Sequence, residues 1–579
     1  MALIRGTAPQ LQVSGGWTGT SDADAACSTA PCLEPPDPSV AVSASYVVQS
    51  TNDGIRIMDR SGVLLRNYFL PDFFAESPGQ VYGSDPRVFW DNGLGRWLAM
   101  EMSADCNTGH LYVAASRTAD PTGAWDISIA DYVNVIPDYP GLGYSTDKVA
   151  IGYNPYGLVG CQIQGFIGGG LLIFDKTALL GGAVKGAEYT ADGTAFTYRP
   201  SVGAADDSPA LWVVFGRTNG SSNTYDVTLM QISGTQAGGD LTIGTQFNLT
   251  ADPAQSVGPF VDPVPLSAPG AKPGFGTAID SRPTDSVFAG GKLWWTSTTT
   301  CTPPADRSRR ACVRVTQSTG TTVNQDFTIG AFAQSTYSGG ITVSGNGTTF
   351  ITYAQSSVTR PISTFATYQL PTDTPNAIHV PAVIAAGVGN YAGARWGDFV
   401  GLAPDPSDIA SAWQGNEQPD SRGGWTTRIS KLTGAQTGVP DGTLNIEGGS
   451  SSTTLTTVQL SLTPTSGTGT SVARVSNVGP DASGNLAQSR TLPLGTDIWW
   501  SLTDPATGGS GATGSRKIWV QWGDGAGTWS TPATGTLITF TTTKVVREAG
   551  LNRFATAAAV SAATYRRPGV PVAYVAYAF

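Results

Sequence analysis

Charge is scarce in this chain: 33 Lys and Arg and 43 Asp and Glu make up 13% of its 579 residues. No basic run appears and the net charge is −10, so nothing is present to neutralise a phosphate backbone, and nucleic acid is excluded as a partner. Histidine is scarcer still. With only His110 and His379, and no GxSxG, a Ser-His-Asp hydrolase has little to build from. A Walker-type GxxxxGK, an HExxH and an EF-hand loop are equally missing. Nowhere does an apolar run approach the roughly 18 residues that a membrane span requires. The opening MALIRGTAPQ lacks the apolar core and small-residue cleavage site of a signal peptide, so secretion implies a leader already removed.

What is present is turn chemistry and aromatic bulk. The chain has 72 Gly, 38 Pro, 15 Trp, 19 Tyr and 20 Phe, which describes a turn-dense, aromatic-cored β protein with almost no helix. The stretch Ser84 to Ser103 shows the grammar: an Asp-Pro turn, an apolar strand through Val88, Phe89 and Trp90, an Asp91-Asn92-Gly93 turn, and a returning strand from Trp97 to Met100. The same hairpin pattern recurs at 38–51, 87–102, 148–163, 200–217, 286–298, 340–355 and 399–415. Starts that lie roughly 50 to 85 residues apart are too distant for β-helix rungs and suit four strands plus loops per unit. The expected fold is therefore all-β, with a seven-bladed β-propeller over 37–432; two or three β-sandwiches in a row are the alternative.

Residues 1–36 form a lead-in in which LQVSG is a candidate strand for completing the last blade. The fourth unit carries a Gly-, Thr- and Pro-rich insertion over roughly 234–280, the kind of long loop that decorates a binding face. A Gly/Thr/Pro linker opens a second domain over 433–544, whose alternating strands suggest a β-sandwich, with Val458, Leu460 and Leu462 on one face and Ile518, Val520 and Trp522 on another. In 545–579 an Ala-rich helix capped by Asn552 or Thr556 precedes a buried strand, giving a short C-terminal α/β stub. Six cysteines, the close pairs Cys27/Cys32 and Cys301/Cys312 with Cys106 and Cys161, predict three disulfides and an oxidising compartment. Zinc is the competing reading of a close pair, but no CxxC exists, so no metal site is expected. Calcium is the one cofactor the Asp-rich turns admit, as at Asp524, where backbone hydrogen bonding of the turn is the simpler role.

Several segments resemble known families. EPPDPSVAVSASYVVQSTNDGIRIMDRSG (34–62), SDPRVFWDNGLGRWLAM, SRTADPTGAWDISIADY (116–132), PDYPGLGYSTDKVAIGYN (137–154) and RWGDFVGLAPDPSDIASAWQG (395–415) are similar to signature segments of secreted bacterial propeller proteins. That resemblance covers nearly all of 34–432 and implies fold and location more than chemistry. The second domain, above all WGDGAGTWS, resembles the Ig-like modules that bacterial surface proteins use as spacers. The last segment, with Asn552-Arg553-Phe554-Ala555-Thr556-Ala557 and a later Pro-Gly, resembles the opening third of the type 2 cell-wall-binding repeat. Intact versions hold surface proteins to anionic wall polymers, so an untruncated form would have a cell-wall polymer as partner, and 545–579 reads as a truncated copy.

In a propeller the residues just before the innermost strands converge on one end of the central axis. Here they are Asp37, Asp85 with Arg87, Asp147 with Lys148, Arg199, Asp280 with Arg282 and Asp285, and Arg395 with Asp398. As turn caps and Asp/Arg pairs, these residues would only close the seams between blades. As a shallow binding ring, with exposed aromatics as a platform, they would take a glycan, peptide or calcium ion. As catalysts, Asp37 and Asp85, each followed by Pro, resemble the paired carboxylates of glycosidase propellers, with Glu417 or Glu101 as the acid. Sialidase-like chemistry would need an arginine triad, for which Arg87, Arg199 and Arg282 are available, although the Ser-x-Asp-x-Gly-x-Thr-Trp repeats of that family are missing. The resulting expectation is a secreted protein of the cell surface or cell wall that binds a glycan or protein ligand there, adhesive and non-catalytic. A glycoside hydrolase and a structural surface component are the alternatives.

Overall fold

The computed structural model describes residues 1–5, 11–24, 33–76, 80, 82–181, 186–190, 193–204, 208–221, 223–255, 257–273, 275–276, 279–434, 440–465, 470–523, 529–530 and 533–541. Cys27, Cys32, Asp524 and the segment 545–579 lie outside the described residues. Within them the fold is all-β and propeller-like. The one α-helix is the single turn Leu70–Phe74, entered through Pro71 and ended by Ala75 in the left-handed region, and no described helix is long and apolar enough to cross a membrane.

Between 12 and 433 the strands form successive antiparallel groups. Their first strands are Ser39–Val42, Tyr82–Asp91, Val135–Tyr144, Ala195–Pro200, Pro283–Ala289, Ser335–Val343 and Gly401–Pro404, numbered here as groups 1 to 7. Packing explains the order. Most of the buried apolar clusters straddle two consecutive groups: Val48, Ile55 and Ile57 of group 1 meet Val88 and Trp97 of group 2, and Trp212 and Leu229 of group 4 meet Phe288 and Trp295 of group 5. Further clusters join groups 2 to 3, 3 to 4, 5 to 6 and 6 to 7. The succession then closes, because Val40, Val47 and Met58 of group 1 pack on Trp413 and Ile429 of group 7. No group can bury both faces alone, so each stabilises the next through apolar area.

The N-terminal strand Gln12–Ser21 lies antiparallel to Trp425–Thr433 and so supplies the fourth strand of group 7. In group 4 the insertion contributes three two-residue strands, Thr242–Ile243, Phe247–Asn248 and Phe260–Val261, all paired with Thr224–Ser233. Among the described residues two disulfides are present, Cys106–Cys161 between groups 2 and 3 and Cys301–Cys312 within group 5.

One unit differs from the sequence reading. In group 3 the first strand is Val135–Tyr144, and 148–163, expected to start the unit, supplies the second strand, Lys148–Val159. Pro137, Pro140, Gly141 and Gly143 disguise the first strand as loop, yet Gly is required there: a Cβ on Gly141 would lie 2.0 Å from Arg199 Nη1 and one on Gly143 would lie 2.5 Å from the Ser201 carbonyl oxygen. Beyond residue 440, Gly442–Ile446, Thr457–Pro464 and Gly495–Ser501 form one sheet, and Ser452–Thr453, Thr534–Phe540, Gly514–Gly523, Val472–Ser476 and Arg490–Pro493 another. Val458, Leu460, Leu462, Ile518, Val520 and Trp522 share their buried core.

Candidate functional site

The inner strands share a local device. Asp37 precedes the first of them, and Asp85, Tyr139, Thr197 and Ser338 lie in the next ones; all five have φ between 47° and 58°, in the left-handed region. Where these residues fall inside a strand, the antiparallel register slips beside them, at Ser84/Arg87, Asp138/Gly141, Phe196/Arg199 and Tyr337/Gly340. These are β-bulges, which bend the strand and re-aim its side chains. Polar side chains hold them in place. Asn52 Oδ1 accepts the Asp85 N–H at 2.7 Å, Asn154 Oδ1 accepts the Thr197 N–H at 2.7 Å, and Thr298 Oγ1 accepts the Ser338 N–H at 3.3 Å.

The bulges gather acids. Asp37 is buried, with Oδ1 accepting the Asp398 N–H at 2.6 Å and Oδ2 accepting from Asn52 Nδ2 at 2.9 Å, so both oxygens are occupied where group 7 meets group 1. Burial, then the charges of Asp37, Asp138 and Asp398, pushes the Asp85 carboxyl well above the ordinary carboxylate range. Burial also raises Asp37 and Asp138. For Asp398, burial and then the charge of Asp37 push the carboxyl up to about 8. Arg395 donates to Asp398 Oδ2 at 2.9 Å, but that guanidinium is half exposed, so its charge is screened and does not win.

A cavity of about 470 Å³ opens over this cluster, lined by Glu34, Asp37, Asp53, Glu76, Asp85 and Arg395 with Asn52 and Phe69. Burial raises Asp53 to about 6 and also raises Glu76. Behind Glu76, burial followed by the Glu76 charge holds the proton on Glu101. Glu417 lies elsewhere: fully buried, it accepts the Gly397 N–H at 3.0 Å and is raised well above the usual range by burial and then by Asp37. Among the described residues no three His, Cys, Asp or Glu side chains form a metal-ligand group.

Three basic members of the predicted ring, Arg87, Arg199 and Arg282, meet instead around one aromatic pair. Tyr139 and Phe399 stack with ring centroids 4.7 Å apart. Arg282 lies over Tyr139 at 4.4 Å, Arg199 over both rings at 4.9 and 5.2 Å, and Arg87 over Phe399 at 5.1 Å and Phe89 at 5.5 Å. Arg282 is also clamped by Asp280, at 2.6 Å from Nη2 to Oδ2, and Asp285 stands 3.8 Å from Arg87. The three arginines drafted as a triad thus converge, but with aromatic rings covering their faces. Along the inner strands, residues before this stack line the acidic cavity and residues after it line a second one of about 240 Å³.

Asp147 and Lys148 are not part of either end's cluster with Asp85. They sit in the turn after Tyr144, where Lys148 Nζ bonds Asp147 at 2.5 Å and the Pro209 carbonyl oxygen. Asp138 takes the place expected for Asp147, about 20 Å away along the extended strand at the usual rise per residue. The reason is the misplaced first strand of group 3. Glu34, Asp53, Glu76 and Asp138 were missed by the sequence reading. Asp138-Tyr139-Pro140 could have been found by its likeness to Asp37-Pro38 and Asp85-Pro86, whereas the other three carry no repeating signal. The exposed aromatic platform expected of a binder is not there: of the described residues lining the acidic cavity, Phe69 alone is aromatic.

No family model matches the sequence, and no curated protein matches it. Among solved structures, a Dyadobacter fermentans protein of unknown function aligns with a TM-score of 0.36 at 10% identity, over 62% of this chain and 96% of that one. A Trypanosoma rangeli sialidase, solved with 2,3-difluorosialic acid as a covalent intermediate, aligns with a TM-score of 0.34 at 10% identity, over 89% of this chain and 92% of that one. The extracellular domain of a hybrid two-component system from B. thetaiotaomicron gives 0.32 at 10% identity, over 91% and 57%. Likenesses of this size assign neither family nor chemistry, and the site stands on its own residues.

Proposed function

We propose that residues 12–433 are a seven-bladed β-propeller and that its acidic mouth binds a glycan outside the cell without turning it over. The observation that carries this reading is the lining of the cavity: five carboxyls and one guanidinium around about 470 Å³. Burial raises Asp85 well above the ordinary carboxylate range, so a lining of carboxyls with Asn52 and Arg395 offers both donors and acceptors, which suits a ligand made of hydroxyls. Two disulfides fit a secreted, oxidised location. In this reading 440–541 is an Ig-like spacer and 545–579 a partial wall-binding repeat at the cell surface.

A hydrolase is the second reading, favoured by one feature: Asp85, its carboxyl raised well above the ordinary range by burial, beside an acidic neighbour, Asp37. Against it, Asp37 has both oxygens taken by structural donors and is poorly placed to act as base or nucleophile. The test is a glycan-array screen of the full chain beside a reducing-sugar release assay on the same glycans. Binding without release, lost in Asp85→Ala, supports the binder; release supports the hydrolase; silence in both favours a structural component.

A further inference from the structure

The far end of the axis holds a cavity of different character. Its walls are apolar in part, with Val42, Phe89, Ile341 and Leu402 among them; its one cation is Arg87, and the carboxyls of Asp285 and Asp405 also line it, the latter paired with Arg60 and Lys431. Arg87 is only 5% exposed, yet its Nε and Nη1 have no hydrogen-bond partner. Asp285 does not satisfy them. It stands 3.8 Å from Nη2, beyond hydrogen-bond reach, and its oxygens already accept the Ser286 N–H at 3.0 Å and the Ile341 N–H at 3.1 Å. Phe89 and Phe399 pack against the guanidinium, with ring centroids 5.5 and 5.1 Å from Cζ, and neither ring can accept in the plane of its free N–H groups. Buried donors without acceptors are costly and mark a place where something is missing.

We propose that this end is a second binding site, one that takes a small organic carboxylate with an apolar body, its carboxylate on the edge of Arg87 and its body against Val42, Phe89, Ile341 and Leu402. Inorganic anions would leave the apolar walls wet, and a neutral molecule would give the free N–H groups at most a weaker, uncharged acceptor. About 240 Å³ suits a single ring with a short substituent. The site shares no lining residue with the acidic mouth and stands or falls apart from it.

The probe is benzoate, titrated into the full chain by calorimetry, with benzamide as its neutral counterpart. Benzoate should bind roughly tenfold or more tightly than benzamide, the difference a charge-assisted pair provides. Arg87→Met should abolish that preference. Because Arg87 is buried and its replacement could disturb folding, Ile409→Asp provides an independent check. Ile409 is 43% exposed on the rim of this cavity, and an added carboxylate there should weaken benzoate several-fold with an unchanged melting temperature. Asp85→Ala should leave benzoate binding as it is. Equal affinity for benzoate and benzamide, no benzoate binding up to millimolar concentration, or wild-type binding by Ile409→Asp would overturn the proposal.

Discussion

Asn52 shows how one buried side chain can set a bulge. It donates to the Pro35 carbonyl oxygen and to Asp37 Oδ2, and accepts from the Asp85 N–H. Asn52→Ala would orphan all three partners in a buried place, at about 1–3 kcal/mol for each group left unsatisfied. A urea unfolding midpoint equal to wild type would show that the network does not hold the mouth. Asp398 makes a pH prediction. Its folded carboxyl keeps its proton up to about 8, whereas the unfolded one ionises near 3.8. Between those values folding must take up a proton, so stability falls as pH rises from about 4 to about 8 and levels off above. Asp85 and Glu417 act in the same direction. Asp398→Asn should flatten part of that decline in melting temperature against pH; an unchanged slope would assign the proton elsewhere.

At the scale of elements, the strand Gln12–Ser21 ties the two ends of the long β region together. Its Trp17 ring lies 5.5 Å from that of Trp413 in group 7, and its indole N–H points at Met58 Sδ of group 1 at 3.2 Å. Trp17→Ala removes a half-buried contact spanning both groups, so the expected loss is about 2 kcal/mol, less than a fully buried Trp would give. The variant should also release the N-terminal segment to limited proteolysis before the rest. A wild-type midpoint and cleavage pattern would mean that the ends are held without this strand. The bulged inner strands were only partly legible. Asp-Pro before a strand signals a turn, and Asp37 and Asp85 were found that way. Nothing in residue type reveals that Gly141 must be small to admit Arg199, or that Tyr139 will stand where other strands carry Asp.

For the whole molecule, the all-β class was legible because hairpin grammar is local: turn residues and alternating apolar positions lie within a few residues of each other. The convergence of the site was legible only where that grammar was clear. Asp37, Asp85, Arg395 and Asp398 lie close together, but Asp147 and Lys148 lie at the other end of their hairpin because Pro137 and Pro140 hid the preceding strand. Glu34, Asp53 and Glu76 reach the cavity from segments outside the inner strands, which no repeat marks. The aromatic and arginine stack that separates the two cavities depends on contacts between groups hundreds of residues apart, and such contacts leave no trace in local pattern.

The most direct test of the account is one titration, at neutral pH, of a glycan selected on the array, with wild type, Asp85→Ala and Glu76→Gln compared side by side and reducing ends assayed in the same tubes. Glu76 follows the short helix, outside the bulged strand, and lines the same cavity, so its variant probes the lining from a second element. The account predicts saturable binding by wild type, weaker binding by both variants, and no new reducing ends. Unchanged affinity in both variants would contradict the acidic mouth as the binding site, and steady release of reducing ends that Asp85→Ala abolishes would make it a catalyst.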